Sequence, residues 1–330
     1  MFFDKALIQR HPSSKWKDLY KSRVFTVNPL PIELRQNVFC MGSCFARNIR
    51  RCLEEQGVNC LPDYGKLSES VYDMNVQVDN IGLGEYHMNY YTPLAIVQEV
   101  ARSLSFMGHK SELLADREAY CVPSHYRQGD NFFPVWQDPA RRLVFAQDKG
   151  VLYRASDLIG AAICSGIRSA SLFVFTLGLV EQFSLKTESS TIYFNQHPTY
   201  ASLMCERSIH KTVGIEFLGF ENVRDALLLL VDLVRSVSQS PIVFTVSPVP
   251  LEKTFRKEID CFSANLLSKS ILLAATREAC LQSKDVYYFP SYEIATGYGS
   301  SFFQDRDLRH PKDERVAEIT ELFISCCMSQ

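Results

Sequence analysis

Short apolar runs and amphipathic segments alternate along this chain. Runs rich in β-branched or aromatic residues, Val38 to Met41, Val58 to Leu61, Leu172 to Leu177, Ile242 to Val246 and Val286 to Phe289, have the length and composition of buried strands. Between them, helical periodicity recurs. Phe45 to Gln56 offers Phe45, Ile49, Cys52 and Leu53 on one face, Asn222 to Val237 offers Val223, Ala226, Leu227, Leu230 and Val234, and Val316, Ile319, Leu322 and Phe323 mark a last helix. Thr92-Pro93 opens a further helix, Leu94 to Ser105, with proline where its missing N–H costs little. Such alternation predicts an α/β fold in which helices cover both faces of a parallel sheet of about five strands.

Two stretches break the rhythm. Residues 108–155 and 181–219 carry little clean periodicity and read as insertions over an edge of the sheet, where loops commonly form a substrate pocket. With an N-terminal extension over residues 1–36, the 330 residues read as one domain with a single large core. No repeat, low-complexity tract or long linker interrupts it.

Charge and cysteine usage narrow the function classes. A formal net charge of −2, with no long run of like charges, argues against a nucleic-acid footprint. No uninterrupted apolar stretch reaches a membrane-spanning length and no signal-type h-region opens the chain, so a cytoplasmic protein without a membrane span is expected. The 11 cysteines are scattered within apolar patterns, as reduced buried thiols are, and their spacing shows no metal site.

Candidate chemistry collects at strand ends. Gly42-Ser43-Cys44-Phe45 lies where the first strand gives way to a helix, which places a hydroxyl at the carboxyl edge of the sheet. Ser43 has two readings, a helix N-cap and an exposed nucleophile, and one turn can present both. Asp307-Leu308-Arg309-His310 follows the last strand and precedes the last helix. A carboxylate three residues before an imidazole can hold one ring nitrogen and leave the other for a serine hydroxyl, the alternative being a polar loop in which Asp305 or Asp307 pairs with Arg306 or Arg309. Gly178, after the third strand, permits close backbone approach, and the prolines of Ser247-Pro248-Val249-Pro250 carry the fourth strand out of the sheet.

These residues resemble the GSCFA-domain family, whose motif stands here as Gly42-Ser43-Cys44-Phe45-Ala46. Thr176-Leu177-Gly178-Leu179, Thr245 to Pro250, Ser268-Lys269-Ser270, Tyr288 to Glu293 and Asp307-Leu308-Arg309 resemble further blocks in the family's order, over about His11 to Phe323. The family is in turn similar to the SGNH, or GDSL-like, hydrolases. That resemblance implies a flavodoxin-like three-layer α/β/α sandwich, Ser43 as nucleophile, His310 as general base, Asp307 as its orienting partner, and no cofactor. Departures are visible: Gly42 stands where SGNH enzymes have Asp, and Gly178-Leu179-Val180-Glu181 where they have Gly-x-Asn-Asp. Val180 cannot donate, so Asn89 is the expected substitute oxyanion donor, with the backbone N–H groups of Ser43 and Gly178.

Other residues carry weaker signals. Cys44, one step into the helix, points about 100° from its neighbour, against a nucleophilic role. Glu181 reads either as a tuning or sugar-binding carboxylate or as a helix-dipole partner, and Ser247 as a cap or pocket-lining residue. His197, Trp136 and the Tyr90-Tyr91 pair read as loop residues or as contacts to a glycan. The resulting expectation is a serine esterase or O-acyltransferase acting on an acyl or acetyl ester of a small-molecule or carbohydrate-type substrate, with a separate acyl donor if it is a transferase, as in polysaccharide assembly. A catalytically lapsed module that binds a glycan or an acyl carrier is the alternative.

Overall fold

The computed structural model describes residues 29–32, 37–63, 89–105, 108, 114–128, 130–142, 144–187, 190–195, 199–200, 203–205 and 212–327. Most of the extension over 1–36, together with His11, His87 and His197, lies outside them. The central sheet consists of β1 (Asn37–Gly42), β2 (Asn59–Leu61), β3 (Leu172–Leu177), β4 (Ile242–Val246) and β5 (Val286–Phe289), the runs picked out by their apolar pattern. All neighbours are parallel, in the order β2-β1-β3-β4-β5. This is the flavodoxin-like order, whose direction of winding reverses between β1 and β3. Ligands of such sheets bind beyond the carboxyl ends of the strands at that reversal, so Gly42-Ser43 and Leu177-Gly178 flank the expected cleft.

Alternate side chains divide between two cores. Phe39 and Met41 of β1, Phe173 and Phe175 of β3 and Phe244 of β4 face one core. There they meet helices α2 (Pro93–Leu104), α3 (Lys149–Ser169), α4 (Phe220–Arg235) and α5 (Cys261–Gln282). Val38, Cys40, Leu172, Val174 and Val243 face the other, under α1 (Cys44–Glu55), α6 (Ser291–Tyr298) and α7 (Asp313–Cys327). A strand's two-residue period, with apolar groups at both phases, therefore generates three layers. No described helix is long and apolar enough to cross a membrane.

The two stretches expected to be irregular contain short antiparallel strands. Val122–Gln128 pairs with Asn131–Gln137, extended by Phe145–Ala146, Leu203–Cys205 and Thr199–Tyr200. Glu181–Lys186 pairs with Thr191–Phe194 and Val213–Phe217. Glu181 thus begins a strand, not a helix, which removes the helix-dipole reading. Trp136 packs beneath the Lys149 ammonium, 4.0 Å from the ring centroid, and Tyr90 is fully buried, so neither offers a stacking face to a sugar.

Candidate functional site

At the end of β1 the chain must turn sharply into α1. Gly42 takes φ +147, and a β-carbon there would lie 2.2 Å from the Thr176 carbonyl oxygen, so glycine alone fits. Ser43 then caps α1, its Oγ accepting from the Phe45 N–H at 3.3 Å. It is 2 % exposed and lines a cavity of about 290 Å³. The cap and cavity positions coincide. The Ser43 N–H, however, donates to Thr176 O at 3.0 Å, and the Gly178 N–H to Tyr91 O at 2.9 Å. Both amides expected to meet an oxyanion are consumed in joining strand ends.

Asn89 offers a side-chain donor on the same cavity. It bridges to Gly42 as a parallel continuation of the sheet, is 2 % exposed, and lines the same cavity. Its Nδ2 is buried with no protein partner. A buried amide donor without an acceptor costs about 1–3 kcal/mol, and a bound oxygen would recover it. Asn195 holds this segment, its Oδ1 accepting from the Tyr91 N–H at 3.1 Å and its Nδ2 donating to the Asn89 carbonyl. Asn195 carries only a faint signal in the sequence, an asparagine directly after the apolar strand Thr191–Phe194.

The opposite wall comes from the loop before α7. The His310 ring Nδ1 lies 2.7 Å from Asp307 Oδ2, while Asp307 Oδ1 accepts the N–H groups of Arg309 and His310, each at 2.9 Å. Leu308 takes φ 50, an uncommon conformation for a branched side chain, so that the loop can curl this tightly. The His310 N–H first, then its ring, then the Arg309 N–H hold the Asp307 carboxyl well below the usual carboxylate range. Paired with a carboxylate, Nδ1 carries the proton and Nε2 is left as an acceptor. No described group hydrogen-bonds to Nε2, and no hydrogen bond joins it to Ser43 Oγ, although both residues line the cavity.

Other expected residues take structural places around the cavity. Glu181 lines it, but its carboxylate accepts from the Thr254 hydroxyl and from the Phe255 N–H at 3.0 Å, which staples the loop after β4. Ser247 Oγ accepts from the Val249 N–H at 3.3 Å, a turn cap at the cavity wall. Cys44 does not point away: it lines the cavity too, and burial pushes its thiol up in pKa, which disfavours the thiolate. Lys269 stands in the sequence as the middle of Ser268-Lys269-Ser270, with no chemical signal of its own. It is fully buried in α5, donates to the Gly178 carbonyl at 2.7 Å, and is lowered by burial to about 7.

A sequence model of the GSCFA family matches residues 37–323. The chain belongs to the GSCFA family. No curated protein matches it. The family match begins at β1 and ends within α7, so in this GSCFA chain it spans the whole central sheet together with Ser43, Asn89, Asp307 and His310.

Proposed function

We propose that this GSCFA protein is a serine hydrolase or O-acyltransferase of SGNH-like type acting on an ester of a carbohydrate-type substrate. The observation that carries the reading is the Asp307–His310 pair, which engages Nδ1 and leaves Nε2 without a hydrogen bond among the described residues, on a cavity that Ser43 and Asn89, whose Nδ2 has no partner, also line. In this reading Ser43 Oγ attacks the ester carbonyl carbon and its proton passes to His310 Nε2. Asp307 holds the ring and stabilises its charge. The carbonyl oxygen, now negative, accepts from Asn89 Nδ2 and from the first-turn amide of Cys44, a position without an intrahelical acceptor. As the carbon–oxygen bond breaks, His310 returns the proton to the leaving alcohol. Water or a second hydroxyl then attacks the acyl-serine by the reverse sequence.

A second reading rests on a specific observation. The Ser43 and Gly178 amides are spent on Thr176 and Tyr91, and Ser43 makes no bond to His310. Those contacts favour a pocket which binds without reacting. A fluorophosphonate probe and p-nitrophenyl acetate separate the two. Labelling and turnover that vanish in Ser43→Ala but persist in Cys44→Ala support the serine enzyme. Labelling lost only in Cys44→Ala transfers the role to the thiol, and an unlabelled, inactive wild type supports the binding module.

A further inference from the structure

One wall of the cavity that holds Ser43 is apolar, and it is fastened to the strand that presents Asn89. Phe183, on Glu181–Lys186, stands directly opposite Phe194, on Thr191–Phe194, so their side chains share one face of that sheet, and both residues line the cavity. Gln182 locks the pair from the other face. It is fully buried and donates from Nε2 to the Phe183 carbonyl at 2.7 Å and to the Phe194 carbonyl at 2.9 Å, while its Oε1 accepts the Thr92 hydroxyl. Thr92 lies three residues after Asn89, and Asn195, next to Phe194, donates to the Asn89 carbonyl. Leu179 extends the wall to Ser43 itself. It follows Gly178, where a β-carbon would lie 3.3 Å from Ser43 Cβ, and it lines the cavity too.

The loop after β4 completes this wall. Glu181, two residues from Phe183 and on the same face, accepts with its carboxylate from the Thr254 hydroxyl and the Phe255 N–H, which brings Leu251 and Phe255 onto the cavity. The Phe255 and Phe183 rings meet edge to face, centroids 4.9 Å apart and planes at 87°. Phe194 is 1 % exposed and Phe255 38 %, so the apolar surface runs from the depth of the cavity to its opening. Beyond it the same sheet face continues to Phe217, paired with Glu181 and also exposed. Arg47 and Asn48 of α1 and Arg309 of the loop before α7 give the cavity a polar side of different origin.

An acetyl group would cover little of this surface, because it brings a single methyl to a cavity of about 290 Å³. Sugar hydroxyls fit the wall poorly: they need polar partners, and the Glu181 carboxylate and Gln182 amide on this side are engaged within the protein. A hydrocarbon chain needs none and gains with each methylene it buries. We infer that the acyl part of the ester is a hydrocarbon chain, hexanoyl or longer, with its carbonyl between Ser43 and Asn89 and its tail along Leu179, Phe183, Phe194, Leu251 and Phe255. The alcohol part then faces Arg47, Asn48 and Arg309. This inference rests on the proposed hydrolase or transferase reading and names the acyl class of its substrate.

Binding of neutral, unreactive amides tests it without relying on turnover. N-methylbutanamide, N-methylhexanamide and N-methyloctanamide are titrated calorimetrically into the wild-type protein. Affinity should rise about fourfold with each added methylene, and by at least about thirtyfold from the butanamide to the octanamide. Phe183→Ala should flatten that rise along the whole series. Phe255→Ser, at the more exposed end of the wall, should weaken the octanamide more than the butanamide. Equal affinities along the series, no measurable binding of any member, or a rise that survives in both variants with unchanged Tm overturns the inference. Fluorophosphonate labelling read beside it separates the two claims. Flat amide binding with a reactive Ser43 overturns the acyl chain alone, whereas chain-length-dependent binding with an unreactive Ser43 overturns the catalytic reading and leaves a pocket for an acyl chain.

Discussion

The α-carbon of Gly42 faces the backbone of Thr176 so closely that a β-carbon would lie 2.2 Å from the Thr176 carbonyl oxygen and 2.7 Å from its nitrogen. That same carbonyl accepts the Ser43 N–H at 3.0 Å. The contact joins β1 to β3 where the winding of the sheet reverses, and it sets the direction in which Ser43 leaves the strand. It also leaves position 42 to glycine: no side chain fits between these strands.

Gly42→Ala should therefore destabilise the fold. The new methyl meets backbone, which cannot swing aside, and φ +147 is strained for any L side chain. Overpacking and strain of this kind each cost about 1–3 kcal/mol. Urea unfolding should show a loss of about 3 kcal/mol or more. A loss below about 1 kcal/mol would mean that β1 and β3 separate freely at this point.

Asp307→Asn tests the carboxylate that the proposed mechanism makes the orienting group. An asparagine oxygen could still accept from the Arg309 and His310 amides, so the loop should keep its shape. Its NH2 group, presented to Nδ1, would favour the tautomer with the proton on Nε2, which cannot take the serine proton. A fall in kcat of up to about 10⁴-fold with KM little changed is expected, because in the proposed mechanism Asp307 acts through His310. The wild-type carboxyl, held well below the usual range by the His310 and Arg309 groups, stays ionised across neutral pH. Any stabilisation from this pair is present above the ordinary carboxylate value of 3.8 and is lost only as pH falls below it toward the lowered folded value. An Asp307→Asn enzyme with full kcat would assign the pair to loop structure alone.

Much of the scaffold can be read from the chain because strand and helix periods alternate cleanly. All five central strands are marked by runs such as Phe173-Val174-Phe175, apolar at both phases because both faces are covered. α5 escapes such reading for a physical reason. Phe262, Leu266, Leu267 and Leu281 are exposed while Ala264, Leu272, Ala275 and Ala279 are buried, so apolar residues surround the helix and no stripe stands out. α3 is hidden by Gly160 and Gly166; the latter packs against the Phe39 ring, where a β-carbon would be 3.2 Å away. The triad-like residues are legible as local motifs at strand ends. The spent amides of Ser43 and Gly178, the Asn195 support and the apolar wall of Phe183 and Phe194 are not, because each depends on which strand end lies beside which.

Asn89→Ala should separate binding from the reacting step. Its Nδ2 has no partner in the free protein, so truncation removes a donor without breaking an existing side-chain bond. If the amide meets the oxyanion, kcat should fall by about a hundred- to a thousand-fold with KM little changed. Asn195→Ala leaves that donor present but frees its backbone from the side chain that accepts from Tyr91 and donates to Asn89, so a smaller loss is expected. Equal kcat in Asn89→Ala and wild type would move the oxyanion to other donors.

Lys269 carries the last prediction. It sits inside the core beneath Gly178, whose carbonyl it holds at 2.7 Å, and Gly178 in turn lies where a β-carbon would approach Ser43 Cβ to 3.3 Å. Burial lowers the ammonium from 10.5 to about 7, opposed by Cys44 and assisted by Arg309. Between those values the unfolded chain binds a proton that the folded chain has released. Stability should therefore rise with pH from about 7 toward 10, by at most about 1.4 kcal/mol per unit, and the penalty of the buried charge should be fully present below 7. Lys269→Met has nothing to titrate, so the difference in Tm between pH 9 and pH 7 should shrink in the variant even though it loses the bond to Gly178. Identical pH slopes in the two proteins would place the Lys269 titration near its ordinary value, and would make its ammonium a permanent charge beneath the Ser43 turn.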